Sequence, residues 1–440
     1  TDEVIRASSS AVILQVSQFL FFSGAFAFEK SKIDGVRVKG ATQSASDISM
    51  DVLQIGAADV SAFIGVGGPY RTDANDDGRL DASDPINPNA KGFVVDDLDF
   101  GVVIAERDTL EVNPVVLNAS FFAAKATANN VGIVGFGDDF KLEVHNVQLD
   151  INQGSGGTIP LNNPVIDFAT SFPADVATNS PKGLKIETGA APIYIDASDK
   201  IVAASTDAAI LQISEFVHVS GAFAFEKGPD VSTTIETDTG PVHDVKLETL
   251  TVGGHNVEAF VGVNGPYRQD ANHDLRLDSS DPINSDAQGF VIDDLSFAVA
   301  ILDHAPNELN PLFLNTTFTA LKATATKVGV VGFSDDFKLE LNNLEVDINT
   351  SDSSIGAVVD FESSFPANGS SPAGLSVRTG TTTAPISIDF NGDERIAAST
   401  DAAILQISDF VHLSGAFAFE KGPSVSATVE TDLGTIHDAE

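Results

Sequence analysis

From Ala209 to Phe225 the odd positions read Ala, Leu, Ile, Glu, Val, Val, Gly, Phe, Phe, while Gln212, Ser214, His218 and Ser220 fall between them. An alternation with a period of two puts successive side chains on opposite faces of an extended chain, so the stretch predicts a β-strand. It continues for 17 residues, far beyond the usual ~5–6 residues of a strand. A long ribbon is therefore predicted, bent or bulged at Gly221, where glycine tolerates the required backbone angles. The same alternation recurs in Leu295, Phe297, Val299 and Ile301 and in Leu344, Val346 and Ile348. Between Leu341 and Leu344 the apolar phase slips by one residue at Asn342–Asn343, which predicts a turn or bulge there. Gly265–Pro266, Asp281–Pro282 and Asn368–Gly369 are turn signals between such runs. No segment sustains a capped 3.6-residue period, so the chain is expected to be all-β, with single helical turns at most around its Asp-rich segments.

The pattern repeats. SGAFAFEK stands at Ser23–Lys30, Ser220–Lys227 and Ser414–Lys421, giving spacings of 197 and 194 residues. GFVVDDLDF at Gly92 returns as GFVIDDLSF at Gly289, and GFGDDFKLEVHN at Gly135 returns as GFSDDFKLELNN at Gly332. A first repeat thus covers 1–204 and opens mid-repeat, a second covers 205–398, and a third begins over 399–440. Such boundaries suggest an excerpt from a longer array. Two architectures fit: an elongated tandem repeat in which long strands stack as a β-solenoid or roll, or a string of β-sandwich domains. The scarcity of Pro/Gly/Ser linkers favours the continuous stack.

Composition narrows the function classes. The 440 residues are 42% hydrophobic, yet 63 acidic against 24 basic residues give a net charge of −39. An apolar interior under an acidic skin repels nucleic acid and anionic membrane and attracts metal cations. There is no cysteine, which excludes disulfides and thiolate metal sites and suits an exported protein. The most apolar stretch, Ala11–Phe22, is interrupted by Gln15, Ser17 and Gln18, so no membrane insertion is expected. The start lacks a basic region followed by an apolar core and cleavage site, so export is expected to rest on a removed leader or on a signal elsewhere.

The strongest chemical motif is DANDDGRLDASD at Asp73–Asp84. Loop positions 1, 3, 5, 9 and 12 are Asp73, Asn75, Asp77, Asp81 and Asp84; Gly78 stands at the turn and the Arg79 carbonyl is available at position 7. That spacing wraps a short loop around a hard cation and suits the 6–8 oxygens of calcium. The second copy, DANHDLRLDSSD, keeps Asp270, Asn272, Asp274, Asp278 and Asp281, with the Arg276 carbonyl at position 7. Leu275 replaces the turn glycine, so strain and weaker or altered binding are expected. Asp389, Asn391 and Asp393, and their counterparts in Asp196–Lys200, form shorter and weaker candidates. The pairs Asp96–Asp97, Asp293–Asp294, Asp138–Asp139 and Asp335–Asp336 are expected to be solvated at strand starts or turns.

Catalytic signals are missing from the chain. It has no nucleophile elbow, phosphate-cradling loop or HExxH, and His218 and His243 align with Phe21 and Ser46 of the first repeat. No enzyme activity is expected.

The Asp-rich loops resemble those of EF-hand and dockerin modules over twelve residues, without recognisable flanking helices. With SGAFAFEK and the GFVxDDLxF block, the whole chain resembles the long-period repeats of giant secreted bacterial adhesins of the RTX kind, although the GGxGxDxUx nonapeptides are lacking. The resemblance implies an extracellular or cell-surface location, Ca2+ as cofactor, and a structural role in adhesion or biofilm cohesion. Its implied partners are neighbouring repeats or copies of itself, or a surface glycan. A self-assembling filament or surface-layer subunit is the alternative, and a glycan-binding module the third.

Overall fold

The computed structural model describes the chain except residues 1–3, 18, 41–42, 109–115, 158–162, 178, 273, 306–312, 314, 334–335, 370, 424–426, 432–433 and 440, and the side chains of 138, 427, 429, 431 and 434–439. Strand occupies 64% of the protein and helix 3%. Strands β1 (Ile5–Val16), β2 (Leu20–Lys39), β3 (Ser44–Val66), β4 (Lys91–Arg107), β5 (Ser120–Val134) and β6 (Phe140–Ser155) follow one another as antiparallel neighbours. The chain then leaves the meander through the short β7 (Val165–Ile166), which pairs with the end of β2, the helical turn α1 (Phe168–Ser171) and a separate hairpin of β8 (Leu184–Ile186) and β9 (Ile193–Ile195). It re-enters as β10 (Ile201–Ile213), which pairs with β6 and starts the meander again.

The second copy runs through β11 (Val217–Lys227), β12 (Val231–Glu236), β13 (Val242–Val263), β14 (Gln288–His304), β15 (Thr317–Val331) and β16 (Phe337–Ser351). Another excursion follows: β17 (Val358–Asp360), the turn α2 (Phe361–Ser364), β18 (Leu375–Val377) and β19 (Ile386–Ile388). Then β20 (Arg395–Ile407) pairs with β16, and β21 (Val411–Lys421) with β20. Because β6–β10 and β16–β20 are main-chain ladders, one 17-stranded antiparallel sheet, not closed into a barrel, passes through all the repeats. Of the two architectures, it is the continuous elongated stack that forms, built by hairpins; separate sandwiches do not.

The ribbon expected over Ala209–Phe225 is instead a hairpin. Strand β10 ends at Ile213, Ser214 turns with φ 51°, and β11 starts at Val217. Ile213 and Val217 are opposite each other in the ladder, so they share a face although four residues apart. A three-residue turn thus carries the period-two phase through unbroken, and the pattern cannot reveal it. Gly221 does sit at a register shift, with φ 152°. A 3-10 turn at Gly137–Asp139 does stand at one Asp pair, between β5 and β6; the two α-helical turns lie in the excursions, away from the Asp-rich loops. They form there because Asp167 and Asp360 accept the N–H groups of Thr170 and Ser363, leaving Phe168 and Phe361 to bury.

A row of left-handed residues crosses the sheet. Asp59, Asp97 and Asn146 in the first copy, and Asn256, Asp294 and Asn343 in the second, hold φ between 48° and 55°. Short polar side chains that bond their own backbone tolerate this region best. At each, the alternation slips by one, so the apolar faces on either side of the row stay aligned. The slip at Asn342–Asn343 is one member of the row.

One face of the sheet is covered twice per repeat. The excursions pack over one end of the strands, where Met50, Val103, Phe121, Phe168 and Ile186 form the first core and Leu247, Leu302, Phe318, Phe361 and Ile388 the second. Asn152 and Asn349 pin each excursion, their amides donating to the carbonyls of Ile166 and Asp199 and of Val359 and Asn391. Past the left-handed row, the Asp-rich loops cover smaller clusters around Phe63, Tyr70 and Val94 and around Phe260, Tyr267 and Val291.

Candidate metal centre

Each Asp-rich loop joins two long strands, β3 to β4 and β13 to β14, and is fixed from below before its carboxylates are considered. Arg71 donates from Nε to Asp96 at 2.9 Å and from Nη1 to the Asp84 carbonyl at 2.7 Å, so the end of the loop is tied to β4. Arg268 repeats this, with both Asp293 oxygens at 2.7 Å and the Asp281 carbonyl at 2.9 Å. The guanidiniums also lie over Tyr70 and Tyr267, 5.7 and 5.8 Å from the ring centres. Leu80 and Leu277 are buried beneath the loops, and the Leu80 N–H donates to Ser23 Oγ. Asp96 and Asp293 are therefore buried ion-pair partners, which corrects the expectation of solvated carboxylates. The partners of a buried charge are far apart in sequence, but the constant 25-residue spacing from Arg71 to Asp96 and Arg268 to Asp293 was a legible trace. Asp335 lies outside the described residues, as does the side chain of Asp138.

Within the first loop the carboxylates organise the backbone. Asp73 accepts the N–H groups of Asp77 and Gly78, Asn75 that of Asp77, and Asp77 that of Arg79. The buried Asp84 accepts from Ala74 and Asp81, closing position 12 onto position 2. The second loop repeats every one of these bonds through Asp270, Asn272, Asp274 and Asp281. Leu275 takes φ 67° to keep the turn that Gly78 makes at 76°. The geometry is retained at the cost of about 1–2 kcal/mol of left-handed strain.

Asp270, Asp274 and Asp281 bring one carboxylate oxygen each within 4.8 Å of one another, as one cation would require. Asp73, Asp77 and Asp84 share the bonding scheme but are less tightly grouped. Asp81 and Asp278 turn toward Ser83 and Ser280 at the loop edge. The bonds from Ser83 hold the Asp81 carboxyl below its ordinary range. Donor set and chain path fit a hard, oxygen-seeking cation. The weaker candidates are differently engaged: Asp389 is paired with Lys322 at 2.7 Å, Asp196 with Lys125 at 2.9 Å and Asp199 with Lys39 at 2.8 Å.

No protein-family model, curated protein or solved structure matches this chain.

Two acidic features escaped the sequence reading. Asp59, Asp97 and Asp99 converge across β3 and β4, and burial, then Asp99 and Asp59, raises the Asp97 carboxyl. Their counterparts in the second copy are Asn256, Asp294 and Ser296, so the cluster is not repeated. The other is Glu258, which replaces Ser61 beside the Arg268–Asp293 pair. Burial and then Asp293 push its pKa up to about 10, so at neutral pH it is a carboxylic acid. For Asp293, burial is outweighed by hydrogen bonds from Arg268 and Glu258, and its carboxyl stays below the usual range.

Unfolded, Glu258 titrates near ~4.3. The folded state thus holds a proton that the unfolded state lacks between that pH and about 10. The resulting stability is complete below the unfolded value and is lost as pH rises through the folded one. Glu258→Gln is expected to keep the hydrogen bond to Asp293 without needing a proton. It should flatten the pH dependence of the second repeat and raise its stability at pH 8, which urea melts at pH 5 and pH 8 measure. A variant as pH-sensitive as the parent would refute the shared proton.

Proposed function

We propose that the two Asp-rich loops bind calcium and that the chain is the structural repeat region of a secreted, calcium-stabilised adhesin or surface protein. The observation that carries this reading is the pair of loops, Asp73–Asp84 and Asp270–Asp281, whose carboxylates organise two near-identical oxygen-rich turns on anchored stems. An acidic, cysteine-free chain of composition-matched repeats, joined by one sheet, supports a load-bearing rather than chemical role. Calcium neutralises the loop carboxylates and couples its own binding to loop folding.

Extracellular calcium modules bind with Kd of about 10⁻⁴–10⁻³ M, and a hundredfold excess over Kd stabilises by ~2.7 kcal/mol per site. Titration calorimetry is expected to give two sites per chain. The thermal transition should lie roughly 5–10 °C higher in calcium than in chelator. Asp84→Ala and Asp281→Ala should each remove one site, since each takes away a position-12 carboxylate and its two backbone bonds. A transition unmoved by chelator, or full stoichiometry in both variants, would sink the calcium reading.

A further inference from the structure

The sheet has a second face, and within the described chain nothing covers it. On β14 this face carries Phe290, Ile292, Leu295, Phe297, Val299 and Ile301, while the alternate residues Val291, Ala298, Ala300 and Leu302 are buried under the loop and excursion. Ladder pairing extends the row sideways without a break, to Leu250 and Val252 on β13, Leu321 on β15 and Val346 on β16. The first copy has the same rows, with Phe100 and Val102 on β4 beside Ile55 on β3. Phe28, Ile104, Phe122, Phe225 and Phe290 stand out of it at 38–42% exposure. The charged residues lie at its border, as where Glu248 meets Lys200 at 3.1 Å and Lys227 at 3.7 Å.

Six apolar positions along a strand span ~40 Å, and fourteen successive strands at ~4.8 Å span ~62 Å, so the patch is on the order of 2,500 Å². The largest apolar patch on a monomer is about 300–600 Å², and a standard interface takes roughly 800 Å² from each partner. An apolar centre inside a mixed-charge border is the anatomy of an interface.

Three chemistries could cover it, and two fit poorly. A bilayer surface is read with Trp and Tyr at the headgroup level. The chain has no Trp and three Tyr, of which Tyr70 and Tyr267 are buried on the other side. A small ligand cannot cover so large an area. A second sheet of the same composition can, packing face to face at ~10 Å with its strands within ~30° of the first.

We propose that this face is a homodimer interface, in which two copies of the chain close their open apolar faces on each other as the two layers of one sandwich. The inference holds whether or not the loops bind calcium, because no loop residue contributes to it.

The absence of cysteine gives a clean test. Val299→Cys on the open face and Thr324→Cys, exposed on the covered face, are each made in the full chain. Analytical ultracentrifugation should give a particle of twice 45.9 kDa. Labelling of the Val299→Cys thiol should be at least about tenfold slower than that of Thr324→Cys, as in a desolvated interface core, and spin labels at Val299→Cys should couple between chains. Val299→Glu should shift the mass to monomer, with circular dichroism reporting whether the sheet persists. The conservative cysteine keeps the test valid should the charged variant unfold. A 45.9 kDa monomer with a freely reactive Val299→Cys thiol would overturn the proposal. So would a monomer that floats with phosphatidylcholine vesicles, which would assign the face to lipid.

Discussion

Arg268→Ala is expected to lower the stability of the second repeat by about 3–5 kcal/mol, the usual cost of breaking a buried ion pair from one side. Its side chain is 12% exposed and that of Asp293 7%. Removing it strands the Asp293 carboxylate next to Glu258 and takes the donor from the Asp281 carbonyl. The loop should then lose its fixed exit. If the loops bind calcium as proposed, calorimetry should find uptake at the second loop lost while uptake at the first, held by Arg71, is retained. Urea melts give the stability term. The companion Arg268→Met with Asp293→Leu separates charge from packing, since apolar replacement of both partners is often neutral or stabilising. A loss below about 1 kcal/mol in the single variant, typical of a surface pair, would show that the guanidinium does not anchor the loop.

Phe361→Ala should be comparably severe. The side chain is fully buried between α2 and the sheet, among Leu247, Leu302 and Phe318, and deleting a buried phenylalanine costs about 3–5 kcal/mol. What it removes is the plug by which the second excursion is seated. Hydrogen exchange should show β18 and β19 losing protection first, with β13 to β16 following only near the main transition. Phe168→Ala should do the same to the first excursion. Because the two cores share no residue, the two effects should add within a few tenths of a kcal/mol. If Phe361→Ala exposed the first core as strongly as the second, the repeats would not hold separate cores.

The sequence made some of this architecture visible and hid the rest for identifiable reasons. Alternation in Leu295–Ile301 and in Leu344–Ile348 marked β14 and β16 correctly, because apolar spacing is local information. Duplication revealed the repeat. The hairpin at Ser214 was concealed by its own geometry, since facing residues keep the same phase across a turn of that length. Which residues share a core could not be read either, since Phe361 meets Leu247 only after the excursion folds back across several strands. At the loops, oxygen spacing named Asp73 through Asp84 and Asp270 through Asp281, yet said nothing of Arg71, Arg268 or Glu258. Those lie outside the motif and become relevant only when β3 meets β4 and β13 meets β14. The open apolar face was present in the alternation all along. A strand pattern shows that one face is apolar, but it does not show whether the chain supplies its cover.

The ladder between β6 and β10 has a mechanical consequence. Tension applied across the sheet would pass from repeat to repeat through rows of backbone hydrogen bonds, which open in sequence from one end when a hairpin is peeled. The excursions fold back over the covered face, so each repeat must release its seated Phe168 or Phe361 before its strands can part. A pulled chain would thus give way one repeat at a time. Each event would let out one period, 197 residues from Ser23 to Ser220 or 194 from Ser220 to Ser414, or ~670 Å of extended chain. A chain of such units would lengthen stepwise under load, the repeats still closed staying folded.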